Sequence, residues 1–525
     1  MELAIYSAKV FTADRSRPYA EAVLIKDGRF AVVGDNAAVK AAASAEARTL
    51  DLAGRLVAPG LVDAHLHFLS FGRTLSRVDL RGLTSIAACR EKVAEAAGQL
   101  PPGKWILGWG WNHHLWSEGR GPAAADLDDL TPQNPVLLHR MCGHSVWVNT
   151  EAMRIAGLDS ETVNPPGTEV VRDESGRPTG WIKEWDEVIE CKLPEETLDE
   201  LKDFAEAAQA EAIRRGVTGV HSLENLDSFK ALAALNDDGK LKIRVHHSLP
   251  PDQVDRAVAE GLAKTDDDRL WFSQVKTFTD GSLGSGTALM HEEYSDEPGQ
   301  LGIEFNTPEA LLDHVTTAYQ NGLDVAIHAI GDKALTNAID ALAKGREQFP
   351  GDHRDRIEHL QLFKDADLRR LVDMKIIASV QPVHIMTDWS VAERRWGPER
   401  SVNAYALKSL ADAGLRLQMG SDAPVEPIDP KLSLIAAVTR QDMAGQPEGG
   451  WRPEQRLSLE EALADFSAPA AFASRREDRL GTISVGKLAD LTVFEKDLFD
   501  VPPSDWLEVD VEMTVIGGEI VYQKA

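Results

Sequence analysis

The chain reads as an α/β protein. We expect a (β/α)8 TIM barrel with a small β-sandwich built from both chain termini and an insertion after the first barrel strand. Three observations carry this. About eight short apolar runs, each bounded by turn signals, lie along the middle of the 525 residues, with helix-like sequence between several of them. Both ends are strand-like and too short to bury a core alone. One Trp-, Gly- and Pro-rich region fits neither pattern.

Residues 1–58 hold LAIYSAKVFT, AEAVLIKDGRFAVVG and ARTLDLAGRLVAP, which are rich in β-branched and apolar residues. Asp27-Gly28 and Gly34-Asp35 supply turns between them. The C-terminal part has the same texture in GTISVGKLADLTVFEKDLF and DVEMTVIGGEIVYQ. We therefore place a β-sandwich in residues 1–58 and 471–525, and the barrel in residues 59–470. The expected barrel strands are LVDAHLHF, VTGVHSL, IRVHHSL, QVKTFTDG, LDVAIHAIG, RIEHLQ, IIASVQPV and LRLQMGSDAPV. LDELKDFAEAAQAEAIRRG (Leu198–Gly216) has the period of a barrel helix. The exception is an insertion at about 76–185, containing WILGWGWNHHLWSEGRGP and NPVLLHRMCGHSVWVNTEAMRIAGL. Insertions after a barrel strand lie on the catalytic face, so we expect this one to line the pocket.

The formal net charge of −28 disfavours nucleic acid, which demands a basic face, and argues against anionic membranes. Hydrophobic content of 43% and charged content of 27% are those of a soluble globular protein. No run of about 18 apolar residues suggests a membrane span. The start alternates like strands and does not read as a signal peptide. Cys89, Cys142 and Cys191 are odd in number and lack CxxC spacing, so we expect a cytoplasmic protein without disulfides.

Polar residues sit at the ends of the apolar runs. His65 and His67 close the first, and as i and i+2 on a strand they project from one face, as a divalent-metal clamp requires. Lys276, His328, His359 and Asp422 lie in or just after later runs. In a barrel such side chains converge at the C-terminal end, and four imidazoles, a carboxylate and a lysine suit a binuclear metal site. A desolvated lysine with a lowered pKa can take up CO2 and become a bridging carbamate. Taken singly, Lys276 could instead pair with Asp280, His328 and His359 could be satisfied core histidines, and Asp422 could cap a loop. His144, His384 and His221 are candidate substrate contacts, with Glu224 beside His221 in a supporting role. Trp111 and Trp116, with Trp109 and Trp147, are candidates for an aromatic pocket wall.

The motifs APGLVDAHLHF, VKTFTDGSLGS, VAIHAIGDKA, RIEHLQL, SVQPVHIMTDW and GSDAPVEPIDP, with a closing RLSLEEALADFSAPAAFA and GTISVGKLADLTVFEKD, run in this order through nearly the whole chain. In this the sequence resembles the amidohydrolase superfamily, and in detail its YtcJ-like branch, amidohydrolase family three, to which N-substituted formamide deformylases belong. The resemblance implies two divalent ions, zinc favoured. His65 and His67 would bind the first, a carbamylated Lys276 would bridge, and His328 and His359 would bind the second. Asp422 would bind the first metal and handle the proton. It further implies hydrolysis of a carbon–nitrogen bond in a small amide or formamide-type substrate, and suggests a homodimer. A mononuclear deaminase-type aminohydrolase, which does not need Lys276, and an esterase or lactonase on the same site are the alternatives. A non-catalytic scaffold is disfavoured because all six site residues are present. One position departs from the pattern: Gly286 stands where the family usually has Arg.

Overall fold

In the computed structural model, which describes residues 2–141, 144–262 and 267–525, the two ends of the chain meet in paired sheets. One four-stranded sheet has the order Arg29–Gly34, Ala22–Lys26, Glu2–Tyr6, Arg48–Asp51. Asp27 and Gly28, both with positive φ, make the tight turn of its hairpin. Gly34-Asp35 is not a turn between strands. Asp35 accepts the Ala38 N–H and caps the helix Asn36–Ala42. The second sheet has six strands and mixes the termini: Glu519–Gln523, Val511–Ile516, Leu491–Phe494, Leu56–Pro59, Lys9–Phe11, Tyr19–Ala20. Leu491–Phe494 runs antiparallel to Leu56–Pro59. Leu3, Ile5, Val23 and Phe30 of the first sheet pack with Val57, Val493, Met513 and Val515 of the second in one apolar core.

Pro59 ends the sheet strand, and the barrel begins two residues later. Gly60 at the joint donates its N–H to Asp490 O, and a Cβ there would lie 2.2 Å from Thr218 Oγ1, so no side chain fits. The barrel strands are β1 (Leu61–Leu66), β2 (Val217–Leu223), β3 (Arg244–Leu249), β4 (Leu270–Phe278), β5 (Asp324–Ala329), β6 (Arg356–His359), β7 (Ile377–Val380) and β8 (Arg416–Met419). They form one parallel sheet in this order, each paired with the next along the barrel and β1 with β2. All eight are the short apolar runs expected from the sequence, buried on both faces as parallel strands are. The ring is closed past β8 by Asp422 N–H to His65 O and His67 N–H to Ala423 O, both 2.8 Å. Helices alternate with the strands. The helix Leu198–Arg214 turns Ala205, Ala208, Gln209, Ala212 and Ile213 inward at helical spacing.

The chain divides into two compact units, Met1–Gly72 with Leu201–Ala525, and Arg73–Glu200. The second unit has its own six-stranded sheet, in the order Glu169–Arg172, Pro178–Lys183, Ser145–Val148, Val136–Arg140, Ile106–Trp111, Val78–Asp79, and the helices Ile86–Gln99 and Thr150–Ala156. Cys89 is buried in it and Cys191 is exposed, both as free thiols, while Cys142 lies outside the described residues. Among the described residues no helix is long and apolar enough to cross a membrane.

Candidate metal centre

His65 and His67 leave the end of β1 on the same face. The His65 Nδ1–H donates to the Glu358 carboxylate at 2.5 Å, and the His67 Nδ1–H donates to Leu223 O at 3.0 Å. Each bond engages Nδ1 and leaves the other ring nitrogen, Nε2, as the atom that faces the centre. Both Nε2 atoms face Asp422 Oδ1, at 3.3 and 3.5 Å. The ring centroids of His65 and His359 are 4.7 Å apart, and those of His359 and His328 4.6 Å. Ligand atoms of His65, His359 and Asp422 all lie within 4.8 Å of one another. All six expected residues therefore stand at the C-terminal ends of the strands or in the loops just beyond.

Two of them get there by backbone strain. His359 has φ 72° and Asp422 φ 64°, left-handed values uncommon outside glycine. Such conformations persist where the surroundings enforce them, and they cluster at functional sites. For Asp422 the enforcement is visible. Asp63 on β1 accepts the Ser421 N–H and hydroxyl, and also the His65 N–H. Burial pushes Asp63 up to about 6 despite these donors. Gly420 precedes this turn at a point where a Cβ would come within 2.6 Å of His65 N.

The electrostatics suit metal binding. Burial, with Lys276 adding to it, pushes His328 down to about 3, and burial with His328 holds His359 well below the usual imidazole range. Both rings are therefore neutral and able to ligate. Burial opposes ionisation of Asp422, but His65 and its neighbours prevail and keep the carboxylate ionised. Burial also brings Lys276 down to about 8 against the pull of Glu358 and Asp422. Among the described residues the Lys276 ammonium makes no hydrogen bond or ion pair; its Nζ lies 4.7 Å from the centroid of the Phe278 ring. It does not pair with Asp280, which instead takes the N–H groups of Leu289, Ile330 and Gly331. His359 Nδ1 and His384 Nε2 are likewise buried without a hydrogen-bond partner. Buried ring nitrogens without a hydrogen-bond partner around one carboxylate fit a cation that would take their lone pairs, whereas Lys276 could join them only after losing its proton. The donor set of imidazoles and carboxylate is one that zinc accepts.

Sequence reasoning missed the support beneath the centre. Glu358 forms a fully buried ion pair with Arg356, whose Nη1 donates to His221 Nδ1 at 2.7 Å. His221 in turn lies edge-on to His246, which meets Ser273 Oγ at 2.8 Å. His221 is therefore an interior strut; expected as a substrate contact, it is taken up by Arg356. The only signal for Glu358 was its place just before His359. Glu224 accepts the N–H groups of Leu69 and Ser70 and so anchors the helix Phe68–Leu75 that follows His67.

The substrate candidates separate. His384 belongs to the centre, its Nε2 3.6 Å from Asp422 Oδ2. His144 lies in the second unit, exposed and paired with Glu184 at 3.1 Å. Trp111 and Trp116 correct the expectation of a pocket wall. They are buried in the second unit's own core, with Trp147 in the same cluster, and Trp111 Nε1–H donates to Leu138 O. Gly286, with φ 70°, lies against another arginine: a Cβ there would be 2.8 Å from Arg395 Nη1, and that guanidinium also bonds Gly284 O.

Comparison with known proteins finds relatives along nearly the whole chain. The model of a family described as the amidohydrolase family matches residues 48–522. The putative amidohydrolase YtcJ of Bacillus subtilis (strain 168) is 33% identical, with 96% of each chain covered. The N-substituted formamide deformylase of Arthrobacter pascens is 26% identical, over 100% of this chain and 98% of that one. The crystal structure of an uncharacterized metal-dependent hydrolase from Pyrococcus furiosus superposes with a TM-score of 0.80 at 31% identity, covering 96% of this chain and 100% of that one.

Proposed function

The chain belongs to the amidohydrolase family and is a hydrolase, and from that premise we propose a binuclear metal-dependent enzyme that cleaves a carbon–nitrogen bond in a small amide or formamide-type substrate. The observation that carries the reading is the convergence of four imidazoles and Asp422 around a buried lysine with no polar partner. His65, His67 and Asp422 would hold one divalent ion, His328 and His359 the other, with zinc the favoured metal and a carbamate on Lys276 between them. When bound, the ions would acidify water toward pKa ~7 and polarise the substrate carbonyl.

The protein's own groups account for the rest. Neutral Lys276 attacks CO2; the new N–C bond forms as the amine loses a proton to solvent, leaving a carbamate anion. Asp422, ionised and turned inward by its left-handed backbone, accepts the proton of the attacking water. It then delivers that proton to the departing nitrogen. His384, with a free Nε2 beside Asp422, hydrogen-bonds the substrate. Glu358 holds His65 in the tautomer that ligates through Nε2. An ester or lactone could be cleaved by the same groups. A cytoplasmic homodimer belongs to the same proposal, on sequence resemblance and cysteine usage.

One observation favours a second reading. His65, His359 and Asp422 converge tightly enough to hold a single ion by themselves, as a mononuclear aminohydrolase with a bare Lys276 would need. Asp422→Asn tests the mechanism common to both. We expect the variant to fold, to keep most of its metal and to lose turnover by about 1000-fold or more, on the scale of general acid–base catalysis. Turnover near that of the wild type would remove Asp422 from the mechanism.

A further inference from the structure

The mouth of the barrel constrains what the substrate carries besides its carbonyl. Alternation along β4 sends Gln274, Lys276 and Phe278 toward the barrel interior and Thr277 outward, where its hydroxyl meets His314 Nδ1 at 2.8 Å. Gln274 is buried and accepts from Ser248 Oγ. Lys276 stands one step higher, and Phe278 is the top rung. The Phe278 ring centroid is 5.2 Å from that of His328 and 4.7 Å from Lys276 Nζ, yet the residue is 39% exposed. An aromatic ring touching two side chains of the centre while open to water is apolar surface held ready for cover.

Further exposed apolar residues follow in the chain. The loop after β4 brings Leu301, Ile303 and Phe305 to 41%, 46% and 54% exposure. Its backbone is tied beside the strand end: Phe305 N–H donates to Thr279 O at 3.0 Å, and Asn306 Nδ2 donates to Phe278 O at 2.8 Å. Scattered exposed apolar residues are ordinary, whereas an exposed aromatic ring against a reactive centre, as at Phe278, is not. Across the centre the character changes. His384 offers a free Nε2 there, and the Thr387 hydroxyl reaches Glu426 at 3.4 Å.

We propose that Phe278 is the shelf on which an aryl or branched-alkyl group of the substrate lies while its carbonyl occupies the metal centre. The inference rests on the metal-hydrolase reading and names the class of substrate within it: carbonyl compounds with a bulky apolar substituent. The occupant follows from position. Because Phe278 lies against His328 and over Lys276, whatever covers its ring also covers the centre, and a protein partner seated there would close the site to any substrate.

The test uses two chelators with one head group. Acetohydroxamate and benzohydroxamate are titrated calorimetrically into the zinc-loaded protein, so no turnover is needed. Benzohydroxamate should bind about tenfold more tightly or better, as burial of an aromatic face requires. Phe278→Ala should bring the ratio of the two affinities to about threefold or less, and Phe278→Leu should restore part of it. The acetohydroxamate affinity of each variant reports the state of the head-group site. Equal binding of the two chelators by the wild type would overturn the shelf alone, as would an unchanged ratio in Phe278→Ala. Failure of the wild type to bind acetohydroxamate would overturn the metal-centre reading and the shelf with it.

Discussion

Lys276→Met in the metal-free protein removes a charge that the barrel holds out of water. The side chain titrates at 10.5 in the unfolded chain and at about 8 in the folded one, because burial outweighs the attraction of Glu358 and Asp422. Between those two pH values the unfolded chain binds more protons, so wild-type stability rises with pH across that window. Below about pH 8 the full penalty is present. At ~1.4 kcal/mol per tenfold in proton affinity, the gap is worth about 3 kcal/mol. Methionine keeps the unbranched shape without the charge. The metal-free variant should therefore be about 3 kcal/mol more stable than the wild type at pH 7. The advantage should shrink as pH climbs from about 8 toward 10.5. The same substitution deletes the amine that would carry the carbamate, so the variant gains stability and loses the second metal, as expected of a residue kept for function. Urea unfolding of chelator-treated proteins in CO2-free buffer, followed by circular dichroism at pH 7, 8, 9 and 10, measures the difference. A variant no more stable than the wild type at pH 7, or an advantage that does not close with rising pH, would refute the reasoning.

Two further substitutions probe the frame around the centre. Glu358→Gln takes the charge from the partner of His65 and should weaken metal binding about 10- to 100-fold, read by competition with a chromophoric chelator; wild-type affinity would show that His65 needs no such orientation. Because the change also strands Arg356, the pair Glu358→Gln with Arg356→Met should recover stability but not metal affinity. Gly420→Ala puts a Cβ 2.6 Å from His65 N and 2.9 Å from Asp63 Oδ1. It should cost about 2 kcal/mol in urea unfolding through overpacking, and unchanged stability would contradict a close contact between the turn after β8 and β1.

The eight barrel strands were legible because parallel strands buried on both faces leave short apolar runs, and each run that carries a site residue places it at its C-terminal end. The sandwich was legible at both ends for a different reason, since neither piece could bury a core alone. Glu358 was not legible. Alternation predicts that Glu358 and His359 face opposite ways, and only the left-handed turn at His359 aims both toward the centre. A positive φ at a non-glycine residue leaves no mark in sequence. The inside of the second unit was not legible. Its texture fitted neither pattern, yet WILGWGW contains the strand Ile106–Trp111, and Trp111, Trp116 and Trp147, taken for a pocket wall, are in that unit's core. Tryptophan signals large apolar area and does not tell which surface covers it.

The central claim is a two-ion centre bridged through Lys276. The most direct measurement is a crystal structure of protein purified without chelator, with anomalous data collected at the absorption edge of the metal found in it. The account predicts two ion peaks, one among His65, His67 and Asp422 and one beside His328 and His359, with carbamate density extending from Lys276 Nζ between them. A single peak beside an unmodified Lys276, or none, would contradict it.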